Sequence, residues 1–428
     1  MRPISPALLR HPLLQRADLG SPAWWHAVQQ TGTPLIQAMD EASDQVIFLW
    51  RDPQGGPQDS ACQHVYIDVY SHTPHPLKQL SSLQRIGQSD VWCWQTVLPK
   101  DWCGSYFLLP AEQQHLPPSG ATRAQMRQWW TDLMAARAQS DSFNPLPTHS
   151  NGSGVSLSRL SLSQAVKHAA WQQLESGLET DARNSPSLRG QLQTLRWNSS
   201  RLHTDRTVWL YRTQGKTADA VEGNLPLVLL LDGQYWTQHM PLFPALDELS
   251  ARGDLPAAVY LFIDAMNHTQ RASDLTCNAD FWLAVQQELL PQACALQAFS
   301  ADPRRSLVAG QSYGGLAAMY AAWHWPQRFG LVLSQSGSFW WPDANETGDQ
   351  GWLTRQVRSG SVTPGSLRVW MEAGCYESDM TGVNQAMCAA LKSAGHQVSY
   401  REFRGGHDWI CWRNGLLSGL CDLLSALV

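Results

Sequence analysis

Apolar positions along this chain follow two rhythms, and the change between them divides it. In the first part the apolar runs are short and roughly alternating: "DQVIFLWRD", "HVYIDVYS", "DVWCWQTVL" and "CGSYFLLP". Such runs, rich in β-branched and aromatic residues, predict half-buried strands. Turn-forming clusters such as "PQGGPQDS" separate them. Several short strands at this spacing predict an antiparallel sandwich. "QMRQWWTDLMAARAQSDSFNPLP" predicts a helix as far as the Asn-Pro, and the polar "THSNGSGVSLS" reads as a linker.

The second part is different. "LPLVLLLDG" and "AAVYLFIDA" are near-continuous apolar runs, as expected of strands buried on both faces. "RSLVAG", "GLVLSQSG", "LRVWMEAG" and "QVSYREFRG" continue the series, with helical patterns between them in "NADFWLAVQQELLPQACALQ" and "YGGLAAMYAAWHW". Alternating strands and helices predict an α/β domain with a mostly parallel central sheet. Ligands then bind beyond the carboxyl ends of the strands. The boundaries follow: an N-terminal β domain over 1–148, a linker over 149–158 and an α/β domain over 159–428.

Composition narrows the function. The 428 residues are 43% hydrophobic and 16% charged, with a formal net charge of −5. That suits a globular protein of two domains and argues against nucleic acid as a partner. No segment approaches the ~18 consecutive apolar residues of a membrane span, and "MRPISPALLRHPLLQRADLG" lacks a secretory apolar core. The nine cysteines are scattered and form no C-x-x-C pair, which predicts reduced thiols, no structural metal and a cytoplasmic protein.

The chemistry gathers around Gly310-Gln311-Ser312-Tyr313-Gly314. This G-x-S-x-G lies between a strand and a helix, the context of a nucleophile elbow, so Ser312 is the candidate nucleophile. A serine hydroxyl needs a base. His407, in "FRGGHDWICWR", follows a strand and two glycines and is the candidate; His324 and His396 are alternatives. The acid should lie between them, after "LRVWMEAG". Glu377 leads there, with Glu372 and Asp379 as competitors. The oxyanion donors should be the backbone N–H of Tyr313 and that of Gln234, in "LLLDGQYW".

"NADFWLAVQQELLP", "VAGQSYGGL", "HWPQRFG", "LSQSGSFWWP" and "GGHDWICWR" occur in order and resemble the enterochelin (enterobactin) esterases, siderophore hydrolases of the esterase D-like α/β hydrolases. "FLWRDPQG" and "DVWCWQTVLP" are similar to that family's N-terminal domain. The resemblance implies an α/β-hydrolase domain preceded by an all-β, immunoglobulin-like sandwich. It implies hydrolysis of the serine tri-lactone of a ferric catecholate siderophore by Ser312, Glu377 and His407. No protein cofactor is implied, because iron arrives with the substrate. Such a substrate is anionic and aromatic, which makes Arg271 and Arg413 candidates for its catecholate oxygens and Trp236, Trp409 and Trp412 candidates for the walls. Two other readings stay open: an acetyl or feruloyl carbohydrate esterase with a sugar-binding module, and a catalytically silent siderophore-binding protein.

Overall fold

A computed structural model describes residues 11–152, 154–166, 168–171, 189–215, 223–342, 351–360, 366–377 and 379–425. The described residues group into two compact units, one of residues up to 166 together with 404–410, the other of the remainder. Among the described residues no helix is long and apolar enough to cross a membrane.

The alternating runs of the first unit do form strands: β1 (Leu35–Ala38), β2 (Ser43–Arg51), β3 (Cys62–Val69), β4 (Ser82–Arg85), β5 (Val91–Pro99), β6 (Cys103–Glu112), β7 (His149–Ser150) and β8 (Ser156–Ser161). They pair antiparallel in the order β1-β2-β5-β4-β3-β6-β8-β7. The sandwich expectation therefore becomes one hydrogen-bonded run, in which β4 bridges β3 and β5. Two apolar clusters line it, one around Trp24, Trp25, Ile47 and Leu49, the other around Tyr66, Phe107, Leu109 and Leu133.

Two expectations are corrected here. The segment read as a linker over 149–158 is held at both ends: β7 (149–150) and β8 (from 156) pair with each other, and β8 adds to β6, so backbone hydrogen bonds hold those residues in the sheet. The predicted helix starts at a capping box on Thr122 but ends at Arg137, short of the Asn-Pro. Gln139 leaves it to exchange two backbone hydrogen bonds with Leu108.

In the second unit the strands are β9 (Gln191–Ser199), β10 (Thr204–Arg212), β11 (Leu227–Leu230), β12 (Val259–Ile263), β13 (Ser306–Gln311), β14 (Leu331–Gln335), β15 (Arg368–Gly374) and β16 (Gln397–Phe403). Their order is β16-β15-β14-β13-β11-β12-β10-β9. Every residue of β11, β12, β13 and β14 is buried, as continuous apolar runs require. The sheet is mixed. β11 to β16 run parallel, but β9 and β10 form an antiparallel hairpin on the edge, and β10 joins β12 antiparallel.

One row of side chains crosses this sheet near the carboxyl ends of its strands. Gln311, Gln335, Glu372 and Arg401 are successive cross-strand partners on β13, β14, β15 and β16. Gln311 Nε2 donates to Gln335 Oε1 at 2.8 Å, Gln335 Nε2 donates to Glu372, and Arg401 Nε donates to Glu372 Oε2 at 2.9 Å. Gln311, Gln335 and Glu372 are fully buried. A buried polar group without a partner costs about 1–3 kcal/mol, so the row holds because each member satisfies the next. Gly415, on the helix Trp409–Leu424, makes room for it: a Cβ there would sit 1.9 Å from Glu372 Oε1.

Burial pushes the Glu372 carboxyl up to about 7; Arg401 and Gln335 pull it back, and the charge of Glu377 adds to the rise. The folded protein therefore holds a proton here, between about pH 4.5 and 7, that the unfolded chain has released. Stability from this group is greatest below that window and falls as pH rises through it, by on the order of 3 kcal/mol at most. Glu372→Gln removes the titration. Thermal unfolding followed at pH 5, 6, 7 and 8 should show the melting temperature of the variant rising relative to wild type with pH.

Candidate active site

The elbow is built by backbone constraint. β13 ends at Gln311, the helix Tyr313–His324 follows, and Ser312 between them has φ 59° and ψ −119°. A serine in this region is strained by roughly 1–3 kcal/mol. The surroundings hold it: Ser312 N–H donates to Gln335 O at 2.9 Å, and Ser338 N–H donates to Ser312 O at 3.0 Å. The Ser312 hydroxyl lies 3.3 Å from that of Ser338. A Cβ on Gly310 would fall 2.4 Å from the Gly314 backbone, and one on Gly315 would fall 2.7 Å from Ser334 Oγ. These contacts explain why glycines crowd the serine.

Tyr313 opens the helix, where a backbone N–H has no partner within the helix itself. The loop with Gln234 follows β11. Asp232 has φ 54°, and Gly233 packs so closely on β12 that a Cβ would lie 2.4 Å from the Phe262 backbone. Arg271 staples this loop. Its Nε and Nη2 donate to the two oxygens of Asp232 at 2.5 and 2.8 Å, and Nη2 also donates to Gln311 O at 3.2 Å. Arg271 thus ties the loop to the residue before Ser312. The Gln234 side chain accepts from Ala265 N–H at 3.0 Å, which fixes the loop from its other side.

Of the three carboxylates, Glu377 has the loop-built cradle. It is buried, and its Oε1 accepts from Ser336 Oγ at 2.6 Å and from Gly374 N–H at 2.7 Å. Ser336, at φ 47°, also accepts from Trp412 Nε1 at 2.9 Å. Glu372 is committed to Gln335 and Arg401. Asp379 opens the helix Asp379–Ser393, and its side chain lies outside the described residues.

The histidines also separate. His324 packs among Tyr320, Trp325 and Trp352, and burial lowers its pKa. His396 is buried and accepts from Leu367 N–H. His407 is exposed, and its backbone N–H donates to Ser71 Oγ at 2.9 Å, within the first unit.

The expected substrate-contacting set is corrected in part. Trp236 and Trp412 are buried and donate to Gln311 and Ser336, so they brace the polar row and the acid cradle instead of lining a wall. Arg413 is 4% exposed, with its guanidinium 5.4 Å from the Trp171 ring centre, a packed position. Arg271 has its planar fork on Asp232. Trp409 is half-buried. In the second unit Tyr313, next to the serine in sequence, pairs with Trp340, both half-buried with centroids 5.9 Å apart; Arg271 lies 5.8 Å from the Tyr313 ring. Sequence reasoning missed Trp340 and the serines 336 and 338. The signal was present in "LSQSGSFWW", whose Gln-Ser repeats the Gln311-Ser312 pair one strand over.

Two families match the chain: the N-terminal domain of enterochelin esterase over residues 45–171, and a putative esterase family over 199–423. Among curated relatives, the iron(III) enterobactin esterase of Dickeya dadantii is 44% identical, over 96% of this chain and 95% of that protein. That of Escherichia coli K12 is 41% identical, over 96% and 98%. Among solved structures, the ferric enterobactin esterase of Salmonella typhimurium superposes with a TM-score of 0.84 at 39% identity, over 95% of this chain and 99% of that one. The enterobactin esterase of Shigella flexneri, crystallised in the presence of enterobactin, gives 0.81 at 39%, over 96% and 100%.

Arg271→Lys tests the staple. A lysine is a point charge and cannot hold both Asp232 oxygens and the Gln311 carbonyl in one plane. Labelling of Ser312 by a serine-directed phosphonate should slow about tenfold, equivalent to ~1.4 kcal/mol. An unchanged rate would show that the loop does not depend on the fork.

Proposed function

The chain belongs to the iron(III) enterobactin esterase family and is a carboxylic ester hydrolase, and on that footing we propose that it cleaves the tri-lactone of a ferric catecholate siderophore of the enterobactin type. The observation that carries the chemistry is Ser312, held at a positive φ after Gly310, whose replacement the Gly314 backbone forbids. In this reading Ser312 Oγ attacks a lactone carbonyl while His407 takes its proton. The N–H groups of Tyr313 and Gln234 donate to the oxyanion. Collapse breaks the ring C–O bond, and His407 returns the proton to the departing serine hydroxyl. Water, deprotonated by the same imidazole, then clears the acyl-enzyme. Glu377 holds the imidazole in its working tautomer.

Each cleavage turns a preorganised ring of three catecholates into a looser chain, so iron is held less tightly. Iron enters as part of the substrate, and the reaction requires no resident metal. Recognition of the anionic rings falls to Tyr313 and Trp340, with Arg271 beside the Tyr313 ring as the nearby positive charge, since the chain as a whole carries −5. We place the reaction in the cytoplasm, where nine cysteines outside disulfides are at home.

Ser312→Ala should abolish release of dihydroxybenzoyl-serine, read by chromatography, while ferric-siderophore binding, read by fluorescence quenching, persists. Near-normal turnover in that variant would end the reading. Glu377→Gln should slow turnover by more than Asp379→Asn does; the reverse order would move the acid to Asp379.

A further inference from the structure

The first compact unit contains residues 404–410 as well as the N-terminal β domain, and its contacts with that loop are specific. Asp408 is 1% exposed. Its Oδ2 accepts from Ser105 N–H at 2.5 Å, and its Oδ1 accepts from Ser105 Oγ at 3.0 Å and from Ile410 N–H at 3.2 Å. Ser105 is itself buried on β6, and its Oγ lies 2.8 Å from His149 Nε2. With the Ser105 hydroxyl donated to the carboxylate, that ring nitrogen carries the proton and donates to Ser105.

The neighbouring positions are held as tightly. His407 N–H donates to Ser71 Oγ, and a Cβ on Gly406 would lie 1.9 Å from Ser71 Cβ. Cys103 N–H reaches Arg404 O. Burial pushes Asp408 up to about 6, and the two Ser105 donors and Ile410 N–H oppose the rise, so the carboxyl is mostly ionised at neutral pH. Asp68, half-buried and pushed up to about 6, feels that charge.

We propose that Asp408 is a positioning residue for the reaction: its carboxylate, gripped by Ser105 and backed by His149, makes the N-terminal β domain the clamp that sets the imidazole of His407. The inference rests on His407 being the base. It gives the N-terminal domain a part in turnover itself. The clamp is two-point, with a charge-assisted anchor after His407 and a glycine-only approach before it. Misplacing a catalytic group by about 1 Å costs on the order of 10²-fold in rate.

The test compares Asp408→Asn, Asp408→Ala, Ser105→Ala and His407→Ala in the full-length protein. kcat and KM are measured on ferric enterobactin and on p-nitrophenyl butyrate, with thermal unfolding and siderophore Kd for each variant. Asp408→Ala should lower kcat about 100-fold on both substrates, Asp408→Asn about tenfold, and Ser105→Ala by an intermediate factor. KM and Kd should stay within about threefold. Partial rescue by the isosteric asparagine and equal losses on a large and a small ester mark a positioned base. Should Asp408→Ala not fold, the milder Ser105→Ala decides. Wild-type kcat in folded Asp408→Asn and Ser105→Ala, with His407→Ala inactive, overturns the clamp and leaves the base. A loss confined to ferric enterobactin or to KM also overturns it. Turnover surviving in His407→Ala removes the base itself.

Discussion

The α/β unit depends on one buried chain of hydrogen bonds, running from Gln311 through Gln335 to Glu372. Each of these residues ends or nearly ends its strand, and each stands one short step from a functional position. Ser312 follows Gln311, Ser336 follows Gln335, and the turn with Glu377 leaves the strand of Glu372. The cross-strand row fixes the relative height of three neighbouring strands at their carboxyl ends. Apolar side chains interdigitate without directional bonds, whereas amides and a carboxylate in register are held by directional ones. The row therefore sets the register from which the elbow and the acid cradle project.

The site is a set of backbone distortions held by those around them. Ser312, Ser336 and Asp232 all have positive φ. Each follows a parallel strand of the same sheet, and each is tied to a neighbour: Ser312 to Gln335, Ser336 to the Glu372 carbonyl, Asp232 to Arg271. Strain of this kind persists only where the surroundings over-determine the conformation. Here the over-determination comes from hydrogen bonds between successive strand ends, which aligns three loops at once.

What could be read from sequence was what short segments decide for themselves. The elbow was legible because glycine, serine and the flanking strand and helix lie within a dozen residues. The central strands were legible because burial on both faces leaves continuous apolar runs. The antiparallel hairpin of β9 and β10 was missed: "QLQTLRWNSS" alternates like an exposed edge, and nothing local states which strand it joins. Trp236, Trp412 and Arg413 were misread for a related reason. Proximity in sequence to catalytic positions says nothing about which side of the sheet a side chain enters, and tertiary packing put these in the interior. Residues 156–158, the start of the strand Ser156–Ser161, looked like linker because they follow a polar Gly/Ser-rich run; the pairing of that strand with β6 and β7 overrides the local composition.

Gly406 carries a consequence for how such a chain can diverge. A methyl group there would overlap the Ser71 side chain, so neither position is free to change alone toward greater bulk. Substitution at 406 becomes tolerable only once 71 has itself shrunk to glycine, and that residue would forfeit the hydroxyl that receives the His407 amide. Two sites at opposite ends of the primary structure are thereby locked into joint variation, and the lock passes through the loop that carries the imidazole.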